Sequence, residues 1–153
     1  MAKSYLRRAG PDDMDLLFMW ANDETTRLNA FNQQQIPYEV HQQWFTDKLK
    51  SDTCAIFIYC VDEVPIGQIR IDIDNDSGII SYSIDAAHRS RGHGRAIMAL
   101  LEASLETELP YVKILCARVK KSNITSQRIF ERLDYQSVEK DDYYEYKKEL
   151  LRV

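Results

Sequence analysis

Nine consecutive residues, His88-Arg89-Ser90-Arg91-Gly92-His93-Gly94-Arg95-Ala96, hold three arginines and two of the chain's five glycines. Dense positive charge beside residues without a Cβ is the chemistry of an anion seat. A guanidinium fork matches two phosphate oxygens, and glycine lets main-chain amides approach an anion closely. The preceding segment, IISYSID, reads as a strand. Behind the cluster, Ile97, Leu100, Leu101, Leu105 and Leu109 follow helical spacing. The cluster is therefore a strand-to-helix turn. There the unpaired amides of a first helical turn, and the positive end of its dipole, favour negative charge.

The ligand implied is a phosphate or pyrophosphate. A dinucleotide fingerprint needs glycine at position 97, which is Ile97, and a nucleoside-triphosphate loop needs Gly-Lys-Ser/Thr, which is absent. What remains is Arg89-x-x-Gly92-x-Gly94. A glycine-rich helix start with solvated arginines is the plain alternative for so short a pattern. A second signal lies beyond the next strand, YVKILCARV, where Asn-Ile-Thr-Ser opens a helix. Asn123 and Ser126 are three apart at that helix start. Asn123 reads as an N-cap, and alternatively as a cap that also bonds a ligand at the carboxyl ends of adjacent parallel strands.

The elements that position these residues follow from periodicity. The chain has 153 residues, which suits one domain over 1–153. SYLRRA alternates as a strand, and GPDDMDLLFMWAN reads as a helix with Pro11 and acids in its first turn. DETTRLNAFNQQQIP is polar, without a period, and reads as a long loop of functional character. YEVHQQWFTDKLK places Val40, Trp44, Phe45 and Leu49 on one helical face. CAIFIYCV, IGQIRIDID and IISYSID form an antiparallel meander through the turns DEVP and NDSG. The RAIMALLEASLETEL helix, the YVKILCARV strand and the NITSQRIFERL helix follow. YQSVEKD and YYEYKKELL form a terminal hairpin. The order is β-α-α-β-β-β-α-β-α-β-β, an α/β (α+β) mixture with one parallel crossover from the fourth to the fifth strand.

The bulk numbers narrow the partners. A net charge of −4 argues against a nucleic-acid binder held through phosphates. The first ten residues lack the apolar segment of a secretory signal, and the longest apolar run, CAIFIYCV, is too short to span a bilayer. A cytoplasmic location without a membrane partner is the expectation. Cys54, Cys60 and Cys116 sit in strand-like apolar runs without paired spacing. They read as buried small hydrophobes, with neither disulfide nor metal expected.

SYSIDAAHRSRGHGRAIM followed by ARVKKSNITSQRIFERLDY resembles the GNAT superfamily of acyl-CoA N-acyltransferases. The resemblance covers most of the chain, because the element order also matches. It implies a mixed, mostly antiparallel central sheet flanked by helices, with splayed fourth and fifth strands. It implies acetyl-CoA as cosubstrate, its pyrophosphate held at Arg89, Arg91, Gly92, His93, Gly94 and Arg95. Its pantetheine arm would lie beside Ile84 and Asp85, with Asn123 and Ser126 touching the pantetheine or the adenosine end. Two positions depart from the pattern. Many relatives carry a tyrosine acid seven residues after the asparagine, where this chain has Phe130. LDY stands for the usual LGF, so Asp134 must take a left-handed conformation.

The acceptor is read from WANDETTRLNAFNQQQIPYEVHQQWF. This segment resembles acetyltransferases of the pseudaminic-acid and spore-coat polysaccharide pathways, through its W-x-N-D, F-N and E-x-H-x-x-W-F spacings. That resemblance implies a primary amine on a small molecule, the 4-amino group of a nucleotide-linked deoxy sugar. His41 and Ser83 are then the catalytic candidates. Phe31, Asn32, His41, Arg70, Asp72 and Ser81 are the acceptor-binding ones, with Arg70 and His41 toward the diphosphate. Arg70 shares its strand face with Asp72 and Asp74, so they line the cleft together or form a solvated face. For His41, the residue pattern alone also allows an inert helix-surface histidine. A homodimer is compatible with the resemblance. Two rivals stand beside this reading. One is an acetyltransferase for protein N-termini, weakened by Ile79 where a glutamate base is common. The other is a non-catalytic acyl-CoA-binding module, kept open by Phe130.

Overall fold

The computed structural model describes residues 2–150. Seven strands form one sheet in the order β1-β2-β3-β4-β5-β7-β6. They are β1 (Ser4–Arg8), β2 (Cys54–Val61), β3 (Val64–Asp74), β4 (Ser77–Ile84), β5 (Ile114–Lys120), β6 (Gln136–Glu139) and β7 (Tyr143–Glu149). Every neighbouring pair is antiparallel except β4 with β5. The helices are α1 (Met14–Ala21), α2 (Glu24–Asn29), α3 (Tyr38–Lys50), α4 (His93–Glu108) and α5 (Ile124–Arg132). Leu151, the last residue of the expected final strand, lies outside the described residues. β7, not β6, pairs with β5, so the terminal hairpin folds back and places its second strand inward.

The expected order holds with one correction. DETTRLNAFNQQQIP is not all loop, because α2 forms within it. Asp23 caps the helix, its carboxylate accepting from the Thr26 amide at 3.1 Å. No residue of α2 is fully buried. A helix that buries no face needs no apolar period, and so leaves no amphipathic signal.

The sheet carries apolar packing on both faces. α4 and α5 cover one face, where Ile97, Met98, Leu101 and Phe130 meet Phe57, Ile69, Ile71 and Leu115. α1 and α3 cover the other, where Leu17, Trp20 and Phe45 meet Ile56, Ile58 and Cys60. β2 is sandwiched between these layers, which explains its unbroken apolar run. Each fully buried large side chain here contributes about 1.5–3 kcal/mol. Cys54 and Cys60 are buried, while Cys116 is half-buried.

One discontinuity in the sheet sets up the site. β4 and β5 pair only at Ser77–Ile114, Gly78–Leu115 and Ile79–Cys116. Beyond Ile79 and Cys116 the strands part, leaving a wedge-shaped gap toward their carboxyl ends. α4 starts at the mouth of that gap. Asp134 adopts φ +67° after α5, the left-handed turn needed in place of glycine. No helix among the described residues is long and apolar enough to cross a membrane.

Candidate active site

The mouth of the gap is a helix start without a cap. Gly92 is the N-cap at φ +84°, a conformation that strains any residue with a Cβ. The first amide of α4 to find a carbonyl is that of Ala96, bonded to Gly92 at 3.3 Å. The amides of His93, Gly94 and Arg95 precede it, and no side chain caps them. By contrast, Asp23 caps α2 and Asn123 caps α5. Arg91 and Arg95 are exposed beside these amides. The corner thus combines free donors, the helix dipole and two exposed cations.

The two glycines serve different ends. A Cβ on Gly92 would meet nothing within 4 Å, so its need is conformational and the space above it is open. A Cβ on Gly94 would fall 2.4 Å from Ile129 Cδ1. Gly94 is therefore small so that α5 can pack against α4, not to admit an anion.

Two residues expected at the corner, and one expected beside the pantetheine arm, turn inward. Arg89 donates from Nε to the Ile84 carbonyl at 3.0 Å and pairs with Asp23 through its other end. Its fork ties the end of β4 to the start of α2 instead of standing over the corner. The His93 ring faces the core, its Nδ1 2.8 Å from the Tyr59 hydroxyl, so only its amide belongs to the corner. Burial, then His88 and Arg91, lower the basicity of His93. Asp85 accepts from the Trp20 indole at 3.0 Å, the Ala87 amide at 3.1 Å and His88 at 3.0 Å. It holds the turn together and is not free for a ligand.

The gap behind the corner has a bare main-chain edge. The Asp85 amide donates to Ile66 on β3 at 2.8 Å. Strand alternation then turns the Ile84 and Tyr82 amides the other way, toward the gap. Ser126 lies 2.8 Å from the Tyr82 hydroxyl, and Asn123 accepts from the Ser126 amide at 3.3 Å. Phe130 is buried, stacked on Tyr146 at 5.4 Å and edge-on to Tyr82 at 6.2 Å. Tyr82 is a site residue that sequence reading passed over. Its signal was alternation, which puts it on the same strand face as Ile80 and Ile84.

On the opposite face of the sheet, a cavity of about 360 Å³ opens between α1, α2 and α3 and strands β3 and β4. Trp20 and Trp44 form aromatic walls, Ser81 and Ser83 its β4 wall, and Arg27 and Arg70 bring charge. Gln68 donates to Ser83 Oγ at 3.1 Å. Arg70 lies over the Trp44 ring at 5.0 Å and bonds Asp72 at 2.9 Å. Lys48 bonds the same carboxylate at 2.9 Å. Burial opposes the Asp72 charge, but these two cations hold its carboxyl below the usual range. Asn32 lines the cavity. Phe31 is 56% exposed and sits edge-on to Tyr143 of β7 at 5.4 Å.

His41 also lines this cavity, but it is not a surface residue: it is only 3% exposed. Its ring stacks on Phe45 and lies 3.1 Å through Nε2 from the Met14 carbonyl. A carbonyl only accepts, so Nε2 carries the proton and Nδ1 keeps its lone pair. Burial lowers the imidazole's basicity, outweighing the Met14 and Asp15 contributions. The second residue missed by sequence reading is Arg27, on α2, whose helix had left no periodic signal. No group of three or more His, Cys, Asp or Glu among the described residues is placed to hold a metal.

Comparison with known proteins locates this architecture. A family profile described as an acetyltransferase (GNAT) domain matches residues 4–136. A domain from Methanocaldococcus jannaschii superposes with a TM-score of 0.86 at 20% identity, covering 98% of this chain and 100% of that one. Spermidine N-acetyltransferase from Vibrio cholerae, solved with CoA and spermine, gives 0.87 at 11%, covering 96% and 95%. Aminoglycoside acetyltransferase AAC(6′)-Ib, solved with coenzyme A, gives 0.79 at 17%, covering 96% and 95%. At these identities the structural likeness establishes the fold alone. Among curated proteins none matches the chain.

Proposed function

The chain belongs to the GNAT acetyltransferase family, and from that premise we propose that it transfers acetyl from acetyl-CoA to the primary amine of a small molecule. The observation that carries this is the uncapped start of α4 opening onto the unpaired edge of β4. The corner fits a pyrophosphate, because its amides lack partners and the space over Gly92 is open. The gap fits an extended arm bearing amides, because the Tyr82 and Ile84 amides face it. Similar folds were solved with coenzyme A.

Acetyl-CoA supplies an acyl group already activated as a thioester. The protein's tasks are then to place a neutral amine, to offer donors where oxyanion charge develops, and to accept the amine's proton. Amides of the β4 edge are the donors we assign. Ser83 orients the amine: its oxygen accepts from Gln68 and keeps a second lone pair for an amine N–H, so the amine's own lone pair stays free to attack. His41 is the proton acceptor we assign, because it is neutral and its Nδ1 is unprotonated.

For the acceptor we propose a nucleotide-linked deoxy amino sugar, reached through the cavity. Aromatic walls at Trp20 and Trp44 suit a sugar ring, Ser81 and Asn32 suit hydroxyls, and Arg70 suits a diphosphate. The test has two stages. At a hundredfold excess over Kd, acetyl-CoA adds about 2.7 kcal/mol, a rise in Tm of about 5–10 °C. No shift at millimolar ligand would overturn the acetyl-CoA assignment. Thiol release with UDP-linked 4-amino sugars, and not with a panel of peptides, then supports the sugar. Acetylation of peptides alone would remove it.

A further inference from the structure

The cavity wall includes a half-buried cation with no carboxylate on it. Arg27 spends Nη1 on the Asn32 and Gln34 carbonyls, at 3.0 and 3.2 Å. Its Nε is withdrawn from solvent without a hydrogen-bond partner, and its Nη2 makes no hydrogen bond among the described residues, so that Nη2 is the donor left for a ligand. No Asp or Glu lies among the cavity walls. The one carboxylate near the opposite wall, Asp72, is already shared by Arg70 and Lys48. The cavity therefore holds excess positive charge in a chain whose net charge is −4. A guanidinium partly withdrawn from water is ordinarily paired with an anion, and a ligand that supplies one completes it.

We propose that Arg27 is the seat of an anionic group on the acceptor, and that this enzyme acetylates amines that also carry a phosphate or a carboxylate. The proposal rests on the acetyltransferase reading and narrows its substrate. Ser81 and Ser83 place the amine end beside β4, while Arg27 on α2 holds the far end. A polycation meets two arginines and no free carboxylate, so polyamine-like acceptors are excluded by charge. Desolvation of the Arg27 side chain, the reason its own charge is disfavoured here, strengthens any ion pair made in the same cavity. The guanidinium donates more strongly to an anionic oxygen than to a neutral one, which favours phosphate and carboxylate over a hydroxyl.

The test uses the full chain saturated with CoA, so that the α4 corner is filled. UDP and glutarate, as the phosphate and carboxylate probes, are titrated against tryptophan fluorescence from Trp20 and Trp44. We expect at least one to bind, and its affinity to fall about tenfold or more in Arg27→Gln, the loss of one strong charged contact. Arg27→Lys, keeping charge without the fork, falls between. Whichever probe binds tells phosphate from carboxylate. Turnover is then measured with a UDP-linked amino sugar, an amino acid and its amide, and spermidine. KM for the anionic acceptor rises in Arg27→Gln while acetyl-CoA binding is unchanged.

Three results would overturn the proposal: neither probe binds the wild-type chain, both bind Arg27→Gln as tightly as wild type, or spermidine is the better acceptor. Should Arg27→Gln fail to fold by circular dichroism, Arg27→Lys carries the comparison. If CoA itself does not bind, the acetyltransferase reading fails instead. The Arg27-dependent part of anion binding is then still read without it.

Discussion

The hydroxyls of Tyr82 on β4 and Ser126 on α5 lie 2.8 Å apart, across the gap where β4 leaves β5. Burial pushes the Tyr82 phenol up, and the Ser126 bond only partly offsets that, so the phenol stays protonated through the neutral range. The bond fixes α5 against an edge that has lost its partner strand. Ser126→Ala strands the phenol and costs about 1–3 kcal/mol, whereas Tyr82→Phe removes the phenol hydroxyl and costs about 1 kcal/mol. Urea unfolding of both singles and the double gives the coupling, expected near about 1 kcal/mol. Strictly additive values would show that the bond contributes nothing.

Gly94 and Ile129 make a second prediction. A Cβ at position 94 collides only with the end of the Ile129 side chain. Gly94→Ala should therefore cost about 1–3 kcal/mol by overpacking, and Ile129→Val, which deletes the colliding Cδ1, should relieve it. Gly92→Ala differs, since its space is open but its φ is +84°. Its cost, about 1–2 kcal/mol, has no neighbour to relieve it. Thermal melts of the three variants separate steric from conformational causes.

Acid stability should trace to Asp13. This buried carboxylate bonds both ends of the Arg7 fork, at 2.8 and 2.9 Å, and the Gly10 amide at 2.8 Å. Arg7 holds its carboxyl below the usual range, against the opposing effect of burial. A depressed folded pKa means the unfolded chain binds the proton first. The contribution is therefore complete above about pH 4 and is lost as pH falls through the folded value. Asp13→Asn should cost about 1.5–3 kcal/mol at neutral pH and flatten the fall of Tm below pH 4. An unchanged acid limb would show that other carboxylates govern it.

His41 should give a limb at higher pH. Its folded pKa is depressed by burial. Below about 6.5, the ordinary value, the unfolded chain takes up a proton that the folded chain refuses. Stability then falls as the solution is acidified from about pH 6.5 toward the folded value. His93 is depressed in the same direction, so the measurement is a difference: Tm against pH for wild type and for His41→Gln. The same variant tests chemistry. If His41 takes the amine's proton, kcat falls by about 10²–10⁴ with acetyl-CoA binding retained. Equal rates would leave His41 a packing residue.

Much of this was written in local pattern. The α3 boundaries, the meander and the crossover follow from periodicity and turn chemistry, which act over a few residues, and the left-handed Asp134 was implied by the family resemblance. The anion corner was legible for the same reason: glycine, charge and a helix start are neighbours in sequence. α2 was not legible, because a helix that buries no face has no reason to repeat its apolar residues. Arg89 and His93 had the right types for a phosphate, but their partners, Asp23 and Tyr59, lie 66 and 34 residues away. Spacing cannot report which way such side chains turn.

The amino-acid sequence by itself determined the family, the order of the elements and the helix start whose first amides are left free. Only the tertiary structure decided which arginine faces the cavity unpaired. Arg27 is one cation among 20 lysines and arginines in the sequence. It becomes distinctive because folding ties its Nη1 to two carbonyls, leaves its Nε unpartnered and brings no carboxylate among the cavity walls. Whether a charge is paired depends on what distant segments deliver to the same few ångströms, and no local pattern encodes that.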